Sequence, residues 1–126
     1  MNSAQEATDL KIGILLLSGP YQHQGADSAY HFAKAAIARG HEILGIFLYT
    51  DGVNVANRNI TAPGHRNIAQ MFSELGAKTK VVACGTCAKF RGLPKDSMSS
   101  GTALGGIGAL VTIIQDCDRL LVFGGG

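Results

Sequence analysis

The chain has 126 residues, 46% of them hydrophobic and 16% charged, with a formal net charge of +2. That length makes one domain whose core needs no disulfide staples, and so slight and scattered a charge excludes the electrostatic footprint of a nucleic-acid or membrane-surface binder. Three cysteines, an odd number, fit poorly with a disulfide framework.

The start, MNSAQEATDLK, has no basic region followed by a long apolar stretch. A cytoplasmic protein with reduced thiols is therefore expected, with one domain over residues 1–126 and a flexible tail at 1–9. LKIGILLLS (10–18) is a continuous apolar run of strand length, far short of a membrane span. After the loop GPYQHQG, the segment 27–40 carries Ala29, Phe32, Ala33, Ala36 and Ile37 at helical spacing. Asp27 is its candidate cap and Gly40 its stop. HEILGIFLYTDG (41–52) reads as a second strand ending in a turn, with Asp51, Asn54 and Asn57 as turn-makers.

A second helix is expected over about 64–75, with Ile68, Phe72 and Leu75 on one stripe and Gly76 closing it. KTKVVAC (78–84) is the third strand, and residues 85–100 read as a short helix and a loop. GTALGGIGALVTIIQD then offers Leu104, Ile107, Val111 and Ile114 as a helical stripe. DRLLVF (118–123) is the last strand, and the closing glycines read as a floppy end. Strands alternating with helices predict an α/β domain with a mainly parallel sheet and right-handed crossovers. Cys84 and the loops 18–26 and 49–63 then meet at the carboxyl rim of the strands, where such folds work.

Chemistry concentrates in VVACGTCAKFRGLP (81–94). Cys84 stands where a strand gives way to a helix start, and unpaired backbone N–H groups there favour an anion. Lys89, Arg91 and Lys95 add positive potential, a setting that suits a nucleophilic thiolate. A buried apolar cysteine is the bland alternative. Cys87 completes C-G-T-C, which suggests dithiol exchange, although the motif follows an inner strand rather than the first. Two ligands make half of a zinc site, and Cys117 and the histidines are too dispersed to complete it. Cys117 is assigned to packing. His23 and His65 fall in rim loops, as proton handlers or as plain solvated side chains. The glycines of GTALGGIGAL lack nucleotide-binding spacing. They suit close helix packing, a subunit contact, or an anion held near Cys84.

In order and spacing, several segments together resemble the DsrE/DsrF/TusD sulfur-relay family, closest to the TusD/DsrE type. They are the opening strand into SGP, FLYTDGVNVAN, the cysteine after the third strand, GGIGAL and the closing CDRLLVF. The resemblance implies a single flavodoxin-like layered domain, a mainly parallel sheet flanked by helices, built into homotrimers or hexamers. It implies a sulfurtransferase that carries sulfane sulfur on a cysteine, as a persulfide or thiosulfonate, with no cofactor. A TusA-like protein would be the donor and a TusE/DsrC-like protein the acceptor. Counting back from Arg91 and Gly92, the family's sulfur-carrying cysteine falls on Cys84. Cys87 has no counterpart in the best-known TusD/DsrE pattern and stands as a resolving or modulating thiol. Two other classes stay open: a C-x-x-C dithiol oxidoreductase, which predicts a reversible Cys84–Cys87 disulfide, and a non-catalytic assembly subunit, which predicts two inert cysteines.

Overall fold

Five apolar runs become strands in a computed structural model that describes residues 9–125. They are β1 (Lys11–Leu16), β2 (Glu42–Leu48), β3 (Val81–Cys84), β4 (Thr102–Gly105) and β5 (Arg119–Phe123). All pair in parallel, in the order β4-β3-β2-β1-β5. The connections carry α1 (Gly25–Ala38), α2 (Ile68–Leu75), α3 (Gly85–Phe90) and α4 (Ile107–Asp116). The expected α/β architecture is thus present, with every strand parallel. The proposed tail lies outside the described residues, apart from Asp9.

Alternation along the strands sorts the core into two faces. Ile14, Leu16, Ile46 and Leu48 are fully buried on one; α1 lies there, its Phe32 ring 6.0 Å from Phe123, which pairs in register with Leu16. The other face is floored by Gly13 and Gly45, also in register. A Cβ on Gly45 would stand 2.8 Å from Ile113 Cδ1. The two glycines therefore make the hollow that seats Ile113 of α4. Helix α1 ends as expected at Gly40, whose φ of +93° no side chain tolerates cheaply. The His41 N–H reaches the Ala36 carbonyl and the Gly40 N–H the Ile37 carbonyl, which closes the helix in a Schellman turn. In α2 the stripe Ile68, Phe72 and Leu75 is buried as the spacing predicts, but the helix starts later, where the Asn67 side chain caps the Gln70 N–H.

Four expectations need correction. Asp27 does not cap α1: Gln24 holds that position, and Asp27 lies inside the first turn, bound by both oxygens to Arg66 at 2.7 and 2.6 Å. A fourth strand, β4, occupies TALG, which the helical stripe had claimed. The stripe fails in α4 as well: Leu110 and Ile113 face the sheet, whereas Ile107, Val111 and Ile114 are exposed. Gly124 and Gly125 are not a loose end, since Gly124 lies against Ser18 and the Gly125 N–H donates to Ser18 Oγ at 3.3 Å.

The Asp27–Arg66 pair gives a pH signature. Hydrogen bonds from Arg66 hold the Asp27 carboxyl below its ordinary value, against the opposing effect of burial. A depressed folded-state pKa stabilises the protein above the unfolded value of about 3.9, and that stability is lost as pH falls through the folded value. Urea unfolding as a function of pH should show Asp27→Asn already weakened at neutral pH and less acid-sensitive than the parent. Parallel curves for the two proteins would overturn this.

Candidate functional site

β3 is four residues long and entirely buried, and its last residue is Cys84. The backbone leaves the strand there and turns at once into α3, so Cys84 is both a strand terminus and the helix cap. Its Sγ accepts the Cys87 N–H at 3.4 Å, the bond that a serine or aspartate cap usually makes. Cys87 lies one turn on, and its own Sγ accepts the Thr50 N–H at 3.3 Å. Each sulfur therefore has one backbone donor. Cys84 and Cys87 are 5% and 8% exposed, so both sulfurs are shielded rather than displayed on the open rim.

Thr50 comes from the loop after β2 and brings the expected rim together. Its Oγ1 donates to the Leu17 carbonyl at 3.0 Å, tying the loop after β2 to the end of β1. It adopts φ +50°, an uncommon conformation for a β-branched residue, and the surrounding contacts must hold it there. The next residue, Asp51, accepts from Arg91 Nε at 2.7 Å, while Arg91 NH1 donates to the Cys87 carbonyl at 3.1 Å. Arg91 thus fastens the end of α3 to the loop that holds Cys87. That contact takes up much of the positive potential expected of Arg91, while Lys89 and Lys95 are exposed.

Burial pushes the Cys87 thiol above its ordinary pKa, and hydrogen bonding with Cys84 adds to the shift. The Thr50 N–H and the charge of Arg91 pull the other way. On the far side of Thr50, that residue and Ser18, Gln22, His23, Asp51 and Gly125 line an open polar cavity of about 320 Å³. His23 is thus at the rim, where the loop after β1 meets the loop after β2, and the latter reaches Cys87 through Thr50. His65 is exposed in the loop before α2. Its neighbour Arg66 stands over the Tyr21 ring at 5.7 Å. Asn57 makes the expected turn, its Oδ1 accepting the Asn59 N–H, whereas Asp51 spends its carboxylate on Arg91. Cys117 lies under α4, its thiol 3.6 Å from the Ile114 carbonyl. Among the described residues no three His, Cys, Asp or Glu side chains gather closely enough to hold a metal ion.

The glycines of GGIG border the site through β4, where Gly105 pairs in register with Cys84. Thr50 and Ser18 carry no local signal that marks them as site residues, and the latch that Arg91 makes to Asp51 is equally invisible in the local pattern. Their contacts join positions 37, 40 and 107 residues apart, which no local pattern records.

The model of the DsrE/DsrF-like family matches residues 10–123. The chain belongs to that family. It is 38% identical to the putative sulfurtransferase DsrE of Allochromatium vinosum, over 91% of this chain and 99% of that one. It is 34% identical to the sulfurtransferase TusD of Yersinia pestis, over 86% of this chain and 95% of that protein. Among solved structures, the YchN protein of E. coli superposes with a TM-score of 0.81 at 26% identity, covering 90% of this chain and 98% of that one. The family resemblance read from sequence is thereby borne out, and relatives of this chain are named sulfurtransferases. No helix among the described residues is long and apolar enough to cross a membrane.

Proposed function

We propose that this DsrE-family chain is a sulfur carrier in a sulfur relay, with Cys84 as the carrying thiol. The observation that supports this most directly is the placement of Cys84 at the strand terminus, its sulfur fixed by a backbone N–H and shielded from bulk solvent. The Cys84 thiolate attacks the sulfane sulfur bonded directly to the donor's own thiol sulfur, in a persulfide or a thiosulfonate. The donor S–S bond breaks, its electron pair leaves with the donor's inner sulfur, and Cys84 gains the cargo. An acceptor thiolate repeats the exchange in reverse. Shielding suits this task because it keeps small thiols from stripping the adduct between partners. A TusA-like donor and a TusE/DsrC-like acceptor are the partners this reading implies. Phe90, 82% exposed on the same short helix as Cys87, offers either an apolar foothold between Lys89 and Arg91.

Incubation with polysulfide, thiosulfate and tetrathionate, followed by intact mass measurement, tests the reading. One added sulfur identifies persulfide carriage, and one added thiosulfonate identifies the alternative cargo. No adduct from any of the three would sink it.

The same reading includes an oligomer of this chain, a trimer or hexamer by family resemblance. Ile107, Val111 and Ile114 recur at helical spacing on the outer side of α4 and are about half exposed, as is Val122 of the edge strand β5. Apolar side chains in that pattern suit burial against a second copy. Val111→Glu should leave the fold intact, because the side chain already faces water in the single chain. It should shift the mass measured by light scattering to that of a monomer. An unchanged oligomer, or a monomeric parent, would refute the assignment of that face.

A further inference from the structure

The second thiol has no task in simple carriage, yet it is held more elaborately than the first. Cys84 caps the short helix whose third residue is Cys87, so the Cys84 sulfur already lies 3.4 Å from the Cys87 backbone nitrogen. A disulfide needs a Cβ separation of about 4 Å, and from there closing the pair takes only a small local movement. The Cys87 sulfur sits under the Thr50 N–H, and the Thr50–Asp51 loop is latched to α3 by Arg91.

We propose that Cys87 discharges the sulfur carried by Cys84, releasing it as hydrosulfide and leaving a Cys84–Cys87 disulfide. The inference rests on Cys84 being the carrier. In the step itself, the Cys87 sulfur attacks Sγ of the Cys84 persulfide. The bond between Sγ and the outer sulfur breaks, and its electron pair leaves with the outer sulfur. The Cys87 thiol proton accompanies it, so that one persulfide anion and one thiol become one disulfide and one hydrosulfide ion. The sulfane sulfur is reduced and the two cysteine sulfurs are oxidised, and no other oxidant takes part. A thiosulfonate cargo leaves as thiosulfate by the same attack. An external dithiol then reduces the disulfide and restores the carrier.

The surroundings of Cys87 make this discharge slow by default. Burial and contact with Cys84 keep Cys87 protonated near neutral pH, while the Thr50 N–H and Arg91, itself paired with Asp51, are the groups that favour its thiolate. Cargo therefore lasts long enough to meet an acceptor, and unclaimed cargo is shed.

The test is anaerobic. The parent and Cys87→Ser proteins are loaded with polysulfide, freed of excess reagent, and followed by intact mass and by hydrosulfide release. The parent is expected to lose its extra sulfur with one hydrosulfide per disulfide formed, faster as pH rises above neutral. Cys87→Ser, or Cys87→Ala should serine perturb the buried site, is expected to keep its sulfur about tenfold longer or more, with less response to pH. Equal lifetimes in parent and variant would overturn the discharge while leaving carriage by Cys84 standing. So would a disulfide that forms without hydrosulfide. Failure of both proteins to load would overturn carriage itself and this inference with it.

Discussion

A Cys84→Ser protein is expected to take up no stable sulfur from polysulfide, thiosulfate or tetrathionate, while keeping the fold and oligomer of the parent. The loss should be complete rather than partial, because a serine hydroxyl cannot form the S–S bond on which carriage depends. Serine is the informative replacement here. Cys84 caps α3 by accepting the Cys87 N–H, and serine is among the best residues for that bond. Alanine would remove the cap as well and cost roughly 0.5–2 kcal/mol, mixing a stability effect with the chemical one. Intact mass after each reagent gives the result directly, and circular dichroism confirms that the variant is folded. An adduct of unchanged mass on Cys84→Ser would move the carrying role elsewhere. If Cys87→Ser lost all loading in the same series, the two cysteines would exchange roles.

The dithiol reading and the carrier reading make different demands on these two residues. A dedicated dithiol oxidoreductase needs a disulfide that cycles with reductant and little retained sulfur. A carrier needs retention, and only then discharge. The geometry of C-G-T-C serves either, since one thiol caps the helix and the other lies beneath a backbone donor. The loaded protein's fate therefore distinguishes them better than its thiol count does.

The parts of this molecule legible in its sequence are those fixed by local patterns. The run at 10–18 specifies a strand buried on both faces, and Ile68, Phe72 and Leu75 specify the inner side of α2. Cys84 could be placed at the rim because a strand that ends abruptly at Gly85 has only one place to go. β4 was not legible. Its four residues lie between glycines, and only pairing with β3 makes them a strand. Once β4 takes up Leu104, the helix begins at Ile107, and Leu110 and Ile113 prove to be its inner side. The glycines at 13 and 45 settle this, because they create the hollow that Ile113 fills. Thr50 was hidden for a different reason: a positive φ on a β-branched residue contradicts local preference and is held by contacts distant in sequence.

Gly52→Ala is expected to weaken the fold by about 1–3 kcal/mol and to loosen the cysteine site with it. A Cβ at position 52 would collide with the backbone carbonyl oxygen of Leu16 and stand 3.0 Å from its carbonyl carbon. Neither atom can turn aside as a flexible side chain would. The same Leu16 oxygen accepts the Tyr49 N–H at 3.0 Å, and the Gly52 N–H donates to the Tyr49 carbonyl at 2.9 Å. Relief of the clash must therefore displace the segment 49–52, which carries both Thr50 and Asp51. Movement there draws the Thr50 N–H from Cys87 and strains the Asp51–Arg91 latch. Gly108→Ala is the control. That glycine lies in the first turn of α4, and a Cβ there would meet nothing within 4 Å, so alanine should be neutral or stabilise the helix by up to about 1 kcal/mol. Urea unfolding should separate the two variants clearly. In Gly52→Ala, Cys87 should also react faster with a small alkylating agent than it does in the parent, because the loop over its sulfur no longer closes. Equal stabilities for the two variants, or an unchanged alkylation rate at Cys87, would refute the link between the Leu16–Gly52 contact and the site.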